Sequence, residues 1–358
     1  MYNKNKGLDI FRVFSLLLVV VYHVWVVTNN QSSFNNIVLD TFVPLGGEIG
    51  VTAFFVLSGC TIYLSLTHNK RDYLSFIKKR FARVAPEYYI SILIIVLFRP
   101  VYFTWPYIKQ LIATLTFTQN IIPSIHAVNG VLWTMSVTMC FYLLAPLFLN
   151  IINKSNIWIV LIACVIITII SKVIFFHYIG KGGIVTDWFW LSRMTIVTDL
   201  DNFVFGMVAG RYMSEPKKSY KWNSLMTIVG TIITLFIISR LGIKNGIHTD
   251  NLSGYIWHTL VAACLSLQVL ALGRINENSR FVYLNKVVRV LSDNQYGIYV
   301  FHLLIISTSY PYFSAYRYDT LAMMAILLGS SVTLSLIISI FIRKVLCRQI
   351  CRRFKLIN

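Results

Sequence analysis

Apolar residues run along this chain in stretches of about 20, and short segments between them carry most of the charge. A helix of ~20 apolar residues is long enough to cross the ~30 Å hydrocarbon layer of a membrane. We therefore predict an all-α, polytopic integral membrane protein with about ten transmembrane helices. The predicted spans are residues 8–29, 45–66, 86–104, 130–152, 156–177, 188–210, 222–241, 253–273, 293–312 and 319–343.

Two stretches decide how the chain crosses the membrane. Residues 8–29 are too long for a signal-peptide core, and no small-residue cleavage site follows, so we interpret them as a retained membrane helix. Residues 107–123 are interpreted as a non-spanning outer helix, because a crossing there would turn the later basic loops outward. The prediction is one transmembrane domain over residues 1–345, followed by a basic cytoplasmic tail over 346–358.

The composition agrees with this pattern. With 57% hydrophobic and 13% charged residues, the chain is too apolar for a soluble globular domain. The net charge of +19 lies mainly in four segments, residues 70–83, 211–221, 274–289 and 343–355. The positive-inside rule puts all four, and both termini, in the cytoplasm. Topology thus accounts for the charge, and we predict no nucleic-acid partner. The six cysteines show no metal or disulfide spacing, so no metal is predicted.

The first apolar stretch, "GLDIFRVFSLLLVVVYHVWVV", contains Asp9, Arg12 and His23, and the last two lie eleven residues apart. Eleven residues at about 100° each make nearly three helical turns, so both side chains share one face, ~16 Å apart along the axis. Arg12 could reach lipid phosphates and His23 could bond a neighbouring helix. Hydrocarbon penalises such groups by ~2.5–3.5 kcal/mol, which makes them candidates for function.

Three further residues stand out in the same way. Arg80 and Arg83 are three residues apart, so they are neighbours on one helix face at the predicted cytoplasmic boundary. Two guanidinium groups there could hold phosphates through charge-assisted hydrogen bonds, or could mark topology and contact lipid headgroups. His302 is a second intramembrane histidine. The other five histidines are predicted to be structural or solvent-facing.

Five short motifs follow one another along the chain. They are Asp9-x-x-Arg12 with His23, "GVTAFFVLSGCTI" (50–62), Arg80 and Arg83 with Pro86 and Tyr88, Trp133 with Phe141, Tyr142 and Pro146, and "NQYGIYVFH" ending at His302. Each motif alone is loose, but five in this order on predicted membrane helices are specific. With them the chain resembles the acyltransferase-3 family, the bacterial membrane O-acyltransferases that modify surface glycans.

This resemblance implies an activity and its substrates. The protein would move an acyl group, usually acetyl, from cytoplasmic acyl-CoA to a hydroxyl of a cell-surface glycan or of its lipid-linked precursor. Acetyl-CoA would be the donor substrate, with no tightly bound cofactor. The enzyme would lie in the cell membrane among lipids. The ~16 Å between Arg12 and His23 is similar to the reach of the pantetheine arm of CoA.

The resemblance also implies roles for individual residues. His23 and Asp9 would be catalytic, with neutral His23 as the general base, a task that suits an imidazole of unperturbed pKa near 6.5. Arg12, Arg80 and Arg83 would bind CoA, and Trp133, Tyr142 and His302 would contact the substrate. Donors for the developing oxyanion would come from Trp133, Tyr142, Ser136 and Asn129. An acyl-enzyme route through Ser58 or Ser136 is left open.

The chain departs from the family's usual pattern at two positions, where Thr52 and Thr138 replace acidic residues. If those carboxylates orient the histidine in relatives, Glu48, Asp199 or Asp201 could take over here. A second class of function also stays open, because a polytopic chain with intramembrane charge could export a polysaccharide or lipid intermediate. A transporter would favour repeated halves with broken helices, and no convincing pair of halves is visible.

Overall fold

A computed structural model describes most of the chain as helices. The described residues are 5–28, 34–68, 73–98, 104–105, 107–121, 125–180, 193, 195–215, 224–274, 282–314 and 320–347. The α-helices are α1 (Lys6–Val27), α2 (Leu39–Phe42), α3 (Gly46–His68), α4 (Tyr73–Phe98), α5 (Tyr107–Leu115), α6 (Trp133–Lys154), α7 (Ile157–Ile174), α8 (Leu200–Ser214), α9 (Ser224–Asn245), α10 (Leu252–Gly273), α11 (Val282–Asp293), α12 (Gln295–Ser314) and α13 (Thr320–Ile342). A 3₁₀ turn, Gly130–Leu132, precedes α6, and π-helical turns follow α7 and α13. No strand occurs among the residues described.

The prediction of an all-α polytopic membrane protein is confirmed. Within the described ranges, eight helices are long and apolar enough to cross a membrane: α1, α3, α4, α6, α7, α9, α10 and α13. Large apolar side chains also remain exposed on several of them, such as Leu97 at 69% and Phe341 at 66%, as expected of surfaces that face lipid.

Three predicted segments differ from these eight helices in informative ways. The predicted span 188–210 corresponds to α8, which has only 15 residues, and residues 188–192 and 194 lie outside the described part of the chain. The predicted span 293–312 corresponds to α12, which has 20 residues but includes Gln295, His302 and Pro311 and is more polar than the eight. Helix α5 has 9 residues, too few to span, as predicted for 107–123.

Much of the predicted basic surface lies outside the described residues, including 348–358 of the tail and residues 69–72, 216–223 and 275–281 of the other basic segments. The division into a domain over 1–345 and a tail over 346–358 therefore stays a prediction. The chain forms two compact units. The first unit comprises residues 1–15, 48–70 and 137–289, and the second comprises 16–47, 71–136 and 290–358.

In the first unit, glycine lets α3 and α8 pack backbone against backbone. A Cβ atom added at Gly59 would lie 2.1 Å from the Phe203 carbonyl oxygen, and one at Gly206 would lie 1.9 Å from that of Val56. Only residues without a Cβ permit such an approach, which membrane helices use in place of a hydrophobic driving force. Phe141 of α6 stacks on Phe203 at 4.4 Å between ring centroids. The residues of α3 and of the start of α8 are thereby held close together.

The second unit has an apolar core formed by α4, α5, α12 and the turn before α6, with Tyr88, Leu132 and Phe301 among its buried members. Small residues let α12 and α13 approach closely. Ser331, Ser335 and Ser339 of α13 follow at helical spacing and are all fully buried. A Cβ added at Gly297 of α12 would lie 2.3 Å from Ser339 Oγ, so the two helices are in tight contact at that point.

Candidate functional site

The two intramembrane histidines singled out in the sequence contact each other in the second unit. His302 Nε2 lies 3.2 Å from His23 Nδ1, and the imidazole rings meet edge to face at 4.9 Å between centroids. His302 is fully buried on α12, whereas His23 on α1 is partly accessible. The pair thus has one fully buried member and one member that is partly accessible.

Hydrogen bonds to the backbone determine where the protons of this pair lie. His302 Nδ1 is 2.7 Å from the carbonyl oxygen of Tyr299, and a carbonyl only accepts, so Nδ1 carries the hydrogen and Nε2 the lone pair. His23 Nδ1 is 2.9 Å from the carbonyl oxygen of Val19, so it too carries a hydrogen. That hydrogen faces both Val19 O and His302 Nε2. In neutral His23 the lone pair is therefore on Nε2, the arrangement that a general base requires.

Helix α12 is held in register beside the start of α6. Asn129 donates from Nδ2 to the Val300 carbonyl at 2.9 Å, and its Oδ1 accepts from the backbone N–H of Val131, which caps the turn before α6. Tyr299 donates to the Val131 carbonyl at 3.1 Å and accepts from Thr134 Oγ1 at 3.0 Å. These bonds fix Tyr299, and hence the carbonyl group that sets the tautomer of His302.

Asp9 and Arg12, the other two residues of the first motif, pair with each other in the first unit. Asp9 Oδ1 and Arg12 Nη1 are 2.6 Å apart on α1, in an i,i+3 contact. Asp9 is buried, and the Arg12 side chain is 26% exposed. The contact gives Asp9 a role in orienting the guanidinium group. Direct participation of Asp9 in the reaction stays a prediction.

Arg80 and Arg83 lie on α4, which begins at Tyr73 rather than at the predicted residue 86, so both belong to the same helix as Tyr88. They differ in setting. The Arg80 guanidinium lies 5.4 Å from the centre of the Phe76 ring, one turn earlier, and is partly buried. Arg83 is exposed. Two cations three residues apart, one of them held against a ring, can present a forked set of donors to an anion.

The remaining predicted substrate contacts lie on α6. Trp133 begins the helix in the second unit and Tyr142 lies two turns further, in the first unit; both are buried. Ser136 Oγ contacts the Phe117 carbonyl and lies 2.5 Å from Asn120 Oδ1, so its one hydrogen serves the local fold. Ser58 on α3 is partly buried and is the carbonyl partner of Thr61 Oγ1. Neither serine is seen bonded to a base.

The first unit contains a buried charged network centred on Arg193, whose side chain is fully buried. Its Nη1 contacts Asp199 Oδ1 at 2.5 Å, and its Nε contacts Glu48 Oε2 at 3.1 Å. Its Nη2 donates to Thr52 Oγ1 at 3.3 Å. Thr52, which stands where the family commonly has an acidic residue, thus faces an arginine that Glu48, one turn earlier on α3, neutralises instead.

Two histidines complete this network around Glu48. His248 Nε2 lies 3.2 Å from Glu48 Oε1, and His258 Nε2 lies 3.1 Å from Oε2. An ionised carboxylate only accepts, so both Nε2 atoms carry hydrogen. These contacts place both histidines beside the Glu48 carboxylate, and their structural role stays a prediction. They also show that Glu48 is already engaged by the network, together with Asp199.

Lys172 and Asp201 extend the buried charge. Lys172 on α7 is fully buried, and the carboxylates of Asp201 and Asp199 are close enough to act on its charge. Asp201 also accepts a hydrogen bond from Thr259. Arg193 and Lys172 belong to none of the five sequence motifs. Both lie inside predicted spans, so the penalty on intramembrane charge that points to Arg12 would have pointed to them as well.

Residues 5–340 match the family model for the acyltransferase domain, so the match covers nearly the whole of the chain. Comparison with curated proteins finds no match, and comparison with solved structures finds none. The family match agrees with the order of the five motifs and with the membrane-spanning helices, and the chain accordingly belongs to the acyltransferase-3 family of membrane acyltransferases.

Proposed function

We propose that this membrane acyltransferase transfers an acyl group, most commonly acetyl, from cytoplasmic acyl-CoA to a hydroxyl group of a surface glycan or of its lipid-linked precursor. The observation that carries the proposal is the tautomer of the histidine pair. Backbone carbonyls hold hydrogen on Nδ1 of both rings, and the chain of bonds leaves the lone pair of His23 on Nε2. A neutral imidazole oriented in this way is ready to accept a proton.

The proposed step is direct transfer. His23 Nε2 takes the proton of the acceptor hydroxyl while the hydroxyl oxygen attacks the thioester carbonyl carbon. The carbon–sulfur bond then breaks, and the imidazolium returns its proton to the CoA thiolate that leaves. Trp133 and Tyr142 remain candidates for stabilising the oxyanion. Ser136 is a weaker candidate, because its hydrogen is already engaged.

The donor would bind through arginines. Arg12, oriented by Asp9, and Arg80 with Arg83 supply guanidinium groups, which suit the forked recognition of phosphate. CoA carries its phosphates at the nucleotide end and its thioester at the other, so the arginines and the base would act on different parts of the donor. The acceptor's identity rests on the family alone.

The experiment is acyl transfer across a membrane. Radiolabelled acetyl-CoA is supplied to the cytoplasmic face of vesicles that contain the full chain and the native acceptor pool, with His23→Ala as the comparison. Alkali-labile label in a glycan or lipid fraction, lost in His23→Ala, supports the proposal. If the purified wild-type protein neither binds acetyl-CoA nor transfers label, the proposal is wrong. Export of a polysaccharide or lipid intermediate is then the hypothesis to test.

A further inference from the structure

A cavity of about 280 Å³ in the first unit lies between the start of α1 and α11. Lys6, Asp9 and Ile10 line it from α1, and Asn285, Lys286, Val288 and Arg289 line it from α11. On α1 these positions follow the spacing i, i+3, i+4, and Asn285, Val288 and Arg289 repeat it on α11. Each helix therefore presents one face to the cavity.

The start of α1 is fixed in place beside the end of α10. Asn5 donates from Nδ2 to the Gly273 carbonyl at 2.7 Å, and its Oδ1 accepts from the backbone N–H of Leu8. A Cβ added at Gly7 would lie 2.0 Å from the Leu272 carbonyl oxygen. The α1 wall of the cavity is thus a packed helix end, so its cation, Lys6, extends from a fixed backbone.

Positive charge dominates the lining. Among the described residues of the lining, Lys6, Lys286 and Arg289 are cationic, and the one carboxylate, Asp9, forms an ion pair with Arg12. Lys286 and Arg289 are exposed and three residues apart, so they are neighbours on the helix surface. The start of α1 adds the positive end of its helix dipole. A ligand that suits this cavity carries at least two negative charges in a small volume.

We infer that this cavity binds phosphate groups of the acyl donor, through Lys6, Lys286 and Arg289. The inference rests on the proposed function, which places the donor at Arg12. The Asp9 carboxylate connects the two, because it lines the cavity and holds the Arg12 guanidinium. A space of about 280 Å³ is just below the range of pockets that take a whole drug-sized ligand, so it suits one end of CoA rather than all of it.

The test compares two donors that differ in their phosphates. Acetyl-CoA carries them, whereas S-acetylpantetheine has the same thioester and lacks them. The full chain is assayed in phosphatidylcholine nanodiscs with the variant Lys286→Gln plus Arg289→Gln. We expect KM for acetyl-CoA to rise about tenfold, from the loss of two exposed cations, with KM for S-acetylpantetheine unchanged. The control, Lys154→Gln plus Lys344→Gln, removes the same charge from exposed positions on the predicted cytoplasmic side.

The outcomes separate the inference from the proposed function. An unchanged KM for acetyl-CoA, or an equal loss with both donors, would overturn the inference while transfer itself continued. A loss that occurs only when anionic phosphatidylglycerol is added to the nanodiscs would assign the cavity to a lipid headgroup and also overturn it. Failure of the wild-type chain to bind or transfer from acetyl-CoA contradicts the proposed function instead.

Discussion

Each unit of this chain contains a group of ionisable side chains, and the two groups are arranged in opposite ways. In the first unit, Arg193, Glu48 and Asp199 are charged groups that neutralise one another. In the second unit, His23 and His302 form hydrogen bonds to backbone carbonyls and contact each other. The Arg193 network pairs opposite charges, whereas the histidine pair orients the lone pair of His23.

The difference separates stability from chemistry. A buried ion network is costly to break, because any group removed leaves an uncompensated charge in a medium of low dielectric constant. A pair of neutral imidazoles imposes no such requirement, yet it keeps a group that can take up and release a proton. We therefore expect substitutions in the network to change the free energy of unfolding, and substitutions in the pair to change the rate.

The largest effect is expected at His23. Because general-base loss typically costs 10²–10⁴-fold, His23→Ala should lower kcat for acetyl transfer by about that factor. A matched control is His68→Ala, since His68 makes the same kind of bond, from Nδ1 to the carbonyl oxygen of Leu64 one turn earlier, at 2.9 Å. Retention of wild-type kcat in a folded His23→Ala protein would remove the distinction between the two units.

Arg193→Met should act on stability. It leaves Glu48 and Asp199 buried without their cation, and breaking such a network costs about 3–5 kcal/mol of unfolding free energy. Denaturant unfolding in detergent measures it, with exposed Lys244→Met as the control. Arg193→Lys keeps the charge and should lose less, which covers the case in which the methionine variant does not fold.

The activity of the same variants sharpens this prediction. The folded fraction of Arg193→Lys should keep kcat near that of the wild type. A large loss of kcat with an unchanged free energy of unfolding would show that the network takes part in the chemistry, and the comparison would then have to be redrawn.

His302 should have a smaller effect on rate, because it acts through His23. His302→Ala removes the acceptor of the His23 Nδ1 hydrogen, and the loss of a bond of this kind corresponds to roughly 5- to 30-fold in kcat. His302→Gln offers an amide oxygen to the same hydrogen and should recover part of the rate. KM for acetyl-CoA should stay the same in both. Equal rates in the alanine and glutamine variants would argue that His302 only fills space.

Arg80 and Arg83 lie outside both buried groups and should change affinity alone. Arg80→Ala plus Arg83→Ala should raise Kd for acetyl-CoA by about 3- to 30-fold, as expected for two accessible charge contacts. Lys78→Ala plus Lys79→Ala removes the same charge from the same helix and serves as the control. A normal Kd for acetyl-CoA in the arginine variant would contradict a role of these residues in donor binding.

The fold could be predicted where apolar length alone decides it. The runs that became α1, α3 and α13 are visible as stretches of about 20 residues. The short α8 and the polar α12 are the exceptions. Phe203 of α8 packs against α3, and Gly297 of α12 packs against α13. Contacts with neighbouring helices, rather than composition, therefore stabilise α8 and α12. Such contacts between distant segments leave no periodic pattern in the sequence.

The sequence points to the candidate residues one by one, but not to their arrangement. Motifs pointed to His23 and His302 separately, and their contact joins residues 279 positions apart. Asp9 and Arg12 form the opposite case, because a spacing of three already places them on one helix face. The tautomer of the histidines depends on carbonyl groups of Val19 and Tyr299, and a sequence motif does not encode which way a backbone group points.

The polarity of α12 has a consequence for how the chain is made. A segment with Gln295 and His302 gains little free energy from entering lipid alone, whereas α13, only a few residues later, is strongly apolar. The buried serines of α13 give α12 a surface to pack on. We expect the translocon to release the two as a hairpin, so that a chain truncated after α12 and released from the ribosome would leave α12 accessible to protease. The His302 imidazole would then never have to face lipid on its own.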